Sequence, residues 1–304
     1  MKYSIDIQIA NFLRRCFAYY IRKRTHTIDT ETGQEEYWLS HFSNQQDSFV
    51  HNLSNDAKIT LFKDSLLCKY IYFSFEETEI NFLRRFLQPG DCFFDIGANI
   101  GLFTLHASPT VGNTGFIYAF EPTPVTYARL QNNIILNNFQ NIKAENIGLS
   151  SSIETVEFHV ANNGYDAWNS IASLNQLEDC SIIKINTNTI DNYILANNIQ
   201  HVDLIKLDVE GWEYNVLKGA HDLMSKPDSP VMLVEFTETN AFAAGYYCGE
   251  LFDYVKSFGY EWYSFDMGTN TLNLQQKKLH YPYENLIAIK DLNSCYNRLG
   301  VTLS

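Results

Sequence analysis

Between residues 92 and 258, short apolar runs alternate with stretches of helical period, and this alternation restricts the chain more than any other feature. Runs at 92–96, 116–120, 142–147, 204–207 and 231–234 read as strands, and stretches at 101–107, 125–136, 190–196, 212–217 and 251–258 read as the helices between them. A strand that returns parallel through a helix needs a right-handed crossover. The pattern therefore predicts an α/β fold, a doubly wound and mostly parallel sheet. Two late strands, 260–265 and 286–289, bring the count to about seven.

Ahead of the alternation, 59–62 and 70–73 read as short strands. Residues 76–87 read as a helix with Ile80, Phe82, Leu83 and Phe86 on one face, closed by Pro89-Gly90. Residues 156–160 alternate like a hairpin strand, and a polar insertion follows to about 188. The division expected is an N-terminal helix and polar arm over 1–57 and one α/β domain over 58–304. In the arm, Ile7, Ile9, Phe12, Leu13, Phe17 and Ile21 share a segment with Arg14, Arg15, Arg22, Lys23 and Arg24. Such a segment makes either weak contact with a membrane surface or a helix packed on the domain or on a partner chain.

Composition excludes several classes. The formal charge of −13, from 22 Lys+Arg against 35 Asp+Glu, disfavours a long phosphate-backbone interface, so no nucleic-acid partner is expected. Six cysteines without a CxxC pair suggest neither a zinc site nor a disulfide framework. No apolar run approaches the ~20 residues needed to span a bilayer, and no signal-peptide pattern opens the chain, so a cytoplasmic location is expected.

The chemistry concentrates where the first alternating strand ends. Phe93-Phe94-Asp95-Ile96 runs into Gly97-Ala98-Asn99-Ile100-Gly101, a glycine-bounded turn that opens a helix at the sheet's carboxyl edge. Glu121 ends the next strand about twenty residues past Gly101, the spacing of a carboxylate that grips ribose hydroxyls. Together these features predict a nucleoside-containing cofactor. A dinucleotide loop would carry glycine where Asn99 stands, and Asp95 would repel a pyrophosphate. A cationic sulfonium amino acid would be attracted, so electrostatics favour S-adenosylmethionine.

The runs from Phe94 to Gly101, Phe120-Glu121-Pro122 and Ile205 to Glu213 occur in that order with Thr189-Ile190-Asp191 and Tyr283-Glu284-Asn285-Leu286. Over about 58–290 they resemble the FkbM-type class I methyltransferases. The resemblance implies a Rossmann-like seven-stranded fold and methyl transfer to an oxygen of a sugar or polyketide-like product, hence a small-molecule or glycan acceptor. It also places Asp95, Gly97, Asn99, Gly101 and Glu121 at cofactor positions, with Ser150 beside the adenine and Asp208 completing the set. Where an acidic residue is expected near Ser151, this chain has serines.

Asp208 and Glu210 follow a buried strand and Glu235 ends the next one, so all three should emerge at the same sheet edge as Asp95. Converging carboxylates raise one another's pKa, which suits a base for a hydroxyl proton. Asp208, Glu210 and Glu235 are therefore the catalytic candidates, with Glu235 alternatively a ligand to the acceptor hydroxyl or a salt-bridge partner. Glu213 reads as a helix N-terminal carboxylate complementing the dipole. Methyl transfer needs no metal, and although clustered Asp and Glu can hold Mg²⁺ for a diol acceptor, cofactor and base roles explain these carboxylates equally, so none is expected. The insertion around Gly164-Tyr165-Asp166-Ala167-Trp168 either shapes an acceptor site or buries Trp168 for its own sake. The competing readings are a nucleic-acid methyltransferase on the same fold, a nicotinamide-dependent dehydrogenase and a cofactor-binding protein without turnover.

Overall fold

A computed structural model describes residues 31–42, 46–161 and 180–301. The basic N-terminal segment and the Gly164–Trp168 insertion lie outside the described residues. In chain order the elements are α1 (Glu31–Leu39), β1 (Ser48–Asn52), β2 (Lys58–Phe62), α2 (Leu66–Tyr72), α3 (Glu77–Phe86), β3 (Cys92–Ile96), α4 (Leu102–Val111), β4 (Phe116–Phe120) and α5 (Pro124–Leu136). Then follow β5 (Ile142–Glu145), β6 (Gly148–Leu149), β7 (Thr155–Ala161), β8 (Cys180–Asn188), α6 (Ile190–Ala196), β9 (Leu204–Leu207), α7 (Glu213–Lys218) and α8 (His221–Ser225). The chain closes with β10 (Val231–Phe236), α9 (Glu238–Ala243), α10 (Cys248–Lys256), β11 (Glu261–Asp266), β12 (Thr271–Leu274), β13 (Glu284–Ile289) and α11 (Leu292–Arg298).

The main sheet has the order β12-β11-β13-β10-β9-β3-β4-β5. Strands β5, β4, β3, β9 and β10 pair in parallel, and β13 pairs antiparallel with both β10 and β11. The seven expected strands are present, and β12 adds an eighth at the edge. The strand order reverses between β3 and β9, which opens a crevice at their carboxyl ends.

The two faces of the sheet feed different cores because side chains alternate along a strand. Phe93, Leu204, Leu233 and Ile287 pack with α3 and α4 residues, whereas Phe94, Ile96, Ile205, Leu207, Met232 and Val234 pack with residues of α7, α8 and α10. On this parity Asp95, Lys206, Glu235 and Asn285 all belong to the α3/α4 face. Four polar residues thus interrupt apolar strands at the same end of the same face.

Two sequence expectations are corrected. Residues 70–73 are not a strand but the end of α2: the Ser65 side chain accepts a hydrogen bond from Cys68 N at 3.1 Å, and the helix buries Cys68 and Ile71, three residues apart. The polar stretch before Lys58 holds α1 and β1 rather than loose chain. Strand β1 pairs with β2 from Ser48↔Phe62 to Asn52↔Lys58, and Trp38 is 2% exposed in the α3/α4 core. The hairpin reading of 156–160 stands, since β7 pairs antiparallel with β8. Cys92, Cys248 and Cys295 form no disulfide among the described residues.

Candidate functional site

The turn after β3 is built from positive-φ residues. Gly97, Asn99 and Gly101 have φ of 80°, 46° and 101°, and asparagine is among the side chains that tolerate this region, which accounts for Asn99 between two glycines. A Cβ on Gly97 would sit 1.8 Å from Asp208 O, and one on Gly101 would sit 2.8 Å from Leu130 Cδ1. The glycines are thus required by the neighbouring loop and by α5, a packing reason beyond the ligand approach expected from the sequence. Gly97 N and Ala98 N both donate to Phe120 O, at 3.1 and 3.0 Å, and tie the turn to β4.

Asp95 is fully buried. Its Oδ2 accepts from Thr104 N at 2.9 Å and from the Thr104 hydroxyl, which satisfies the first turn of α4. Among the described residues, its Oδ1 meets no hydrogen-bond donor. Burial raises the carboxyl above its ordinary range, against the pull of Lys206. Glu121, 6% exposed, receives Asn99 N on Oε2 at 3.1 Å and Thr123 N on Oε1 at 2.8 Å. Its carboxylate is therefore locked beside the turn by backbone donors. The buried Thr123 hydroxyl next to it has no partner.

A small apolar cleft, about 30 Å³, opens beside the turn, between Ile96, Phe120, Leu149, Phe158, Val209 and Trp212. Ser150 lies at its edge, 2% exposed, with its Oγ accepting from Trp212 Nε1 at 3.1 Å. Trp212 itself carried no role in the sequence reading.

The loop after β9 brings the remaining candidates together. Asp208 N donates to Ile96 O at 3.1 Å, and Glu210 takes φ 53° ahead of Gly211 at 94°. Oxygens of Asp208, Glu210 and Glu235 lie within 4.8 Å of one another. Asn240 Nδ2 donates to Glu210 Oε2 and the Thr237 hydroxyl to Glu235 Oε1, each at 2.7 Å. Burial, then the charge of Asp208, holds Glu210 well above its ordinary value. Burial, then Glu210 and Asp208, does the same for Glu235. The rise expected from mutual repulsion is present, with desolvation ahead of it.

Glu213 is a brace for this loop. It is 2% exposed, its Oε1 accepts from Val209 N and Gly211 N at 2.9 and 3.1 Å, and its Oε2 accepts from the Tyr246 hydroxyl at 3.0 Å.

Sequence reasoning missed Lys206 and Glu76. Lys206, 6% exposed, donates to Asp208 Oδ2 at 3.1 Å and Gly97 O at 3.3 Å, joining the two loops. Burial alone would lower its pKa, but Asp208, Asp95 and Glu76 outweigh that and raise it. The signal was present, as a single cation inside the strand Leu204-Ile205-Lys206-Leu207. Glu76, 4% exposed at the start of α3, lies 3.4 Å from both the Tyr283 hydroxyl and Asn285 Nδ2, and burial pushes its carboxyl up to about 8. Nothing in its local sequence marks it. Asp95, Gly97, Asn99, Gly101 and Glu121 converge on one side of the crevice, with Ser150 at the cleft edge and Asp208, Glu210 and Glu235 on the other side.

Among known families, the methyltransferase FkbM domain matches residues 95–262. "Methyltransferase 1" of Beauveria bassiana is 30% identical over 151 residues, covering 44% of this chain and 60% of the relative. "31-O-demethyl-FK506 methyltransferase FkbM" of Streptomyces tacrolimicus is 29% identical over 163 residues, covering 45% and 62%. "Hexuronic acid methyltransferase AglP" of Haloferax volcanii is 31% identical over 147 residues, covering 47% and 56%. The matched stretch thus spans between 56% and 62% of these relatives.

Proposed function

The chain belongs to the methyltransferase FkbM family, and from that we propose that it moves the methyl group of S-adenosylmethionine to a hydroxyl oxygen of a saccharide or secondary metabolite. Among the relatives, one is named for a hexuronic acid and another for a demethylated FK506, which supports a hydroxylated small molecule or glycan as acceptor.

The residues fit such a cofactor. Asp95 Oδ1 is a buried acceptor without a donor, suited to the ammonium end of a methionine tail. Asn99 N and Thr123 N hold the Glu121 carboxylate beside the turn, in the orientation a pair of ribose hydroxyls would need, and the buried Thr123 hydroxyl stands next to it. The apolar cleft between Phe120, Leu149 and Trp212 offers a slot for a flat base. Asn99, Gly97 and Gly101 shape the turn between these groups. The observation that carries the reading is this convergence of a donorless buried carboxylate, a backbone-locked carboxylate and an apolar cleft on a single turn.

When bound, S-adenosylmethionine supplies a methyl carbon on a positively charged sulfur that departs as a neutral thioether. The chain's part is to align the acceptor, exclude water and take its proton. Asp208, Glu210 and Glu235 serve the acceptor side. Among the described residues no N–H or hydroxyl donates to Glu235 Oε2, which can accept the hydrogen of an acceptor hydroxyl. Burial, reinforced by neighbouring carboxylates, holds Glu210 and Glu235 above their ordinary range, and a nearby positive charge would favour their charged, basic forms.

The test is label transfer. Protein incubated with methyl-labelled S-adenosylmethionine and a panel of uronic acids, oligosaccharides and hydroxylated macrocycles should yield an O-methylated product and S-adenosylhomocysteine. Label entering only nucleic acid, or cofactor bound with no label transferred to any hydroxyl, would contradict the proposal.

A further inference from the structure

The carboxylates on the β9/β10 side crowd together in a buried setting. Asn240 donates to Glu210 and Thr237 to Glu235. Among the described residues no N–H or hydroxyl donates to the second oxygen of Glu235, a side chain 5% exposed, which faces the Asp208 carboxyl instead. Leaving a buried acceptor unmet costs about 1–3 kcal/mol, and more when it is charged. Among the described residues, Lys206 is the cation that weighs on this group, and it is already committed to Asp208 Oδ2 and Gly97 O. Against it stand Asp208, Glu210, Glu235, Glu213 and Glu76. The negative charge exceeds what Lys206 balances.

The geometry suits a divalent cation. Two ligand oxygens on one ion lie no farther apart than twice the metal–oxygen bond, about 4.2 Å for Mg²⁺ and about 4.6–5.2 Å for Ca²⁺. Oxygens of Asp208, Glu210 and Glu235 already lie within 4.8 Å of one another. The donors are all carboxylate oxygens, with no histidine or thiol among them, which selects hard cations over zinc or copper. Glu235 is fixed by its strand, Asp208 by its bond to Ile96 O, and Glu210 by the positive-φ bend before Gly211, whose Cβ would strike Asn240 O at 2.4 Å. This is a rigid arrangement rather than a chance meeting of surface acids.

We propose that Asp208, Glu210 and Glu235 bind a hard divalent cation, of the Mg²⁺, Mn²⁺ or Ca²⁺ class. This departs from the sequence reading, which required no metal. Three protein oxygens leave the rest of a six-coordinate shell to water and to acceptor hydroxyls, so the preferred acceptor carries adjacent oxygens, as in a vicinal diol or a hydroxy acid. That last step rests on the methyl-transfer reading. The ion site itself does not.

Mn²⁺ binding followed by electron paramagnetic resonance separates the two. Wild-type protein should take up one tightly held Mn²⁺, displaced by excess Mg²⁺. Glu235→Gln and Glu210→Gln, each checked for a native circular dichroism spectrum, should weaken that binding at least tenfold. Binding of S-adenosylmethionine, titrated separately in the same samples, should persist in both variants. Wild-type protein that binds S-adenosylmethionine but no Mn²⁺ above a surface-exchange background overturns the ion site and leaves methyl transfer standing. Tight Mn²⁺ without S-adenosylmethionine binding does the reverse. Tight Mn²⁺ unaffected by either variant places the ion elsewhere and also overturns the proposal.

Discussion

Single residues at the crevice do two things at once. Gly97 lets the cofactor-side turn press against Asp208 O, so the two loops of the site share a contact that any side chain would break. Glu76 is the residue whose electrostatics are most open to measurement. Its buried carboxyl is raised to about 8, so the folded protein keeps a proton that the unfolded chain releases near the ordinary carboxyl range. Stability from this group is present below that range and is lost as pH rises through about 8, at a slope of up to ~1.4 kcal/mol per pH unit. Urea denaturation of wild type and Glu76→Gln across this window should show the wild type losing stability relative to the variant as pH rises. Parallel profiles would contradict the burial argument. At this scale the sequence was legible where the backbone takes an unusual conformation, as at Gly97, Asn99 and Gly101, and where spacing places Glu121 beside that turn. Lys206 and Glu235 were legible in kind, as charges inside apolar strands. Glu76 was not, because its partners Tyr283 and Asn285 lie some two hundred positions away and only the folded sheet brings them to it.

At the scale of elements, the main-sheet strands β3, β4, β5, β9, β10, β11 and β13 follow the apolar runs, because buried strands leave strong local signals, whereas β8 forms within the stretch read as a polar insertion and α8, α9 and β12 left no signal that was read. The failures are local too. Tyr70-Ile71-Tyr72-Phe73 is rich in strand-forming types, but the Ser65 cap and the burial of Cys68 with Ile71 settle it as helix. Residues 31–57 looked like an arm because their composition is polar, yet Trp38 reaches the core, and it lies within 4.9 Å of Phe42 and 5.7 Å of Phe49, ring centre to centre. If α1 and β1 are integral to the fold, Trp38→Ala should cost about 3–5 kcal/mol in urea unfolding, the range for a large buried aromatic. A cost below about 1 kcal/mol would show that this segment rests on the domain without supporting it.

For the molecule as a whole, the strand order matters most. The reversal between β3 and β9 places the carboxyl ends of β4, β3, β9 and β10 around a single crevice, with the cofactor turn on one flank and the carboxylate trio on the other. Asp95, Lys206, Glu235 and Asn285 share one sheet face there, so the polar row that the proposed chemistry uses is a consequence of strand parity. No helix among the described residues is long and apolar enough to cross a membrane. The central claim is that this crevice binds a cationic nucleoside through Glu121 and Asp95. Calorimetric titration of S-adenosylmethionine into wild type and Glu121→Ala tests it most directly. Saturable binding by the wild type, weakened at least about tenfold in the variant, is the expected result, since two charge-assisted hydrogen bonds to the ribose would be lost. No binding by the wild type, or equal affinity in the two proteins, would contradict it.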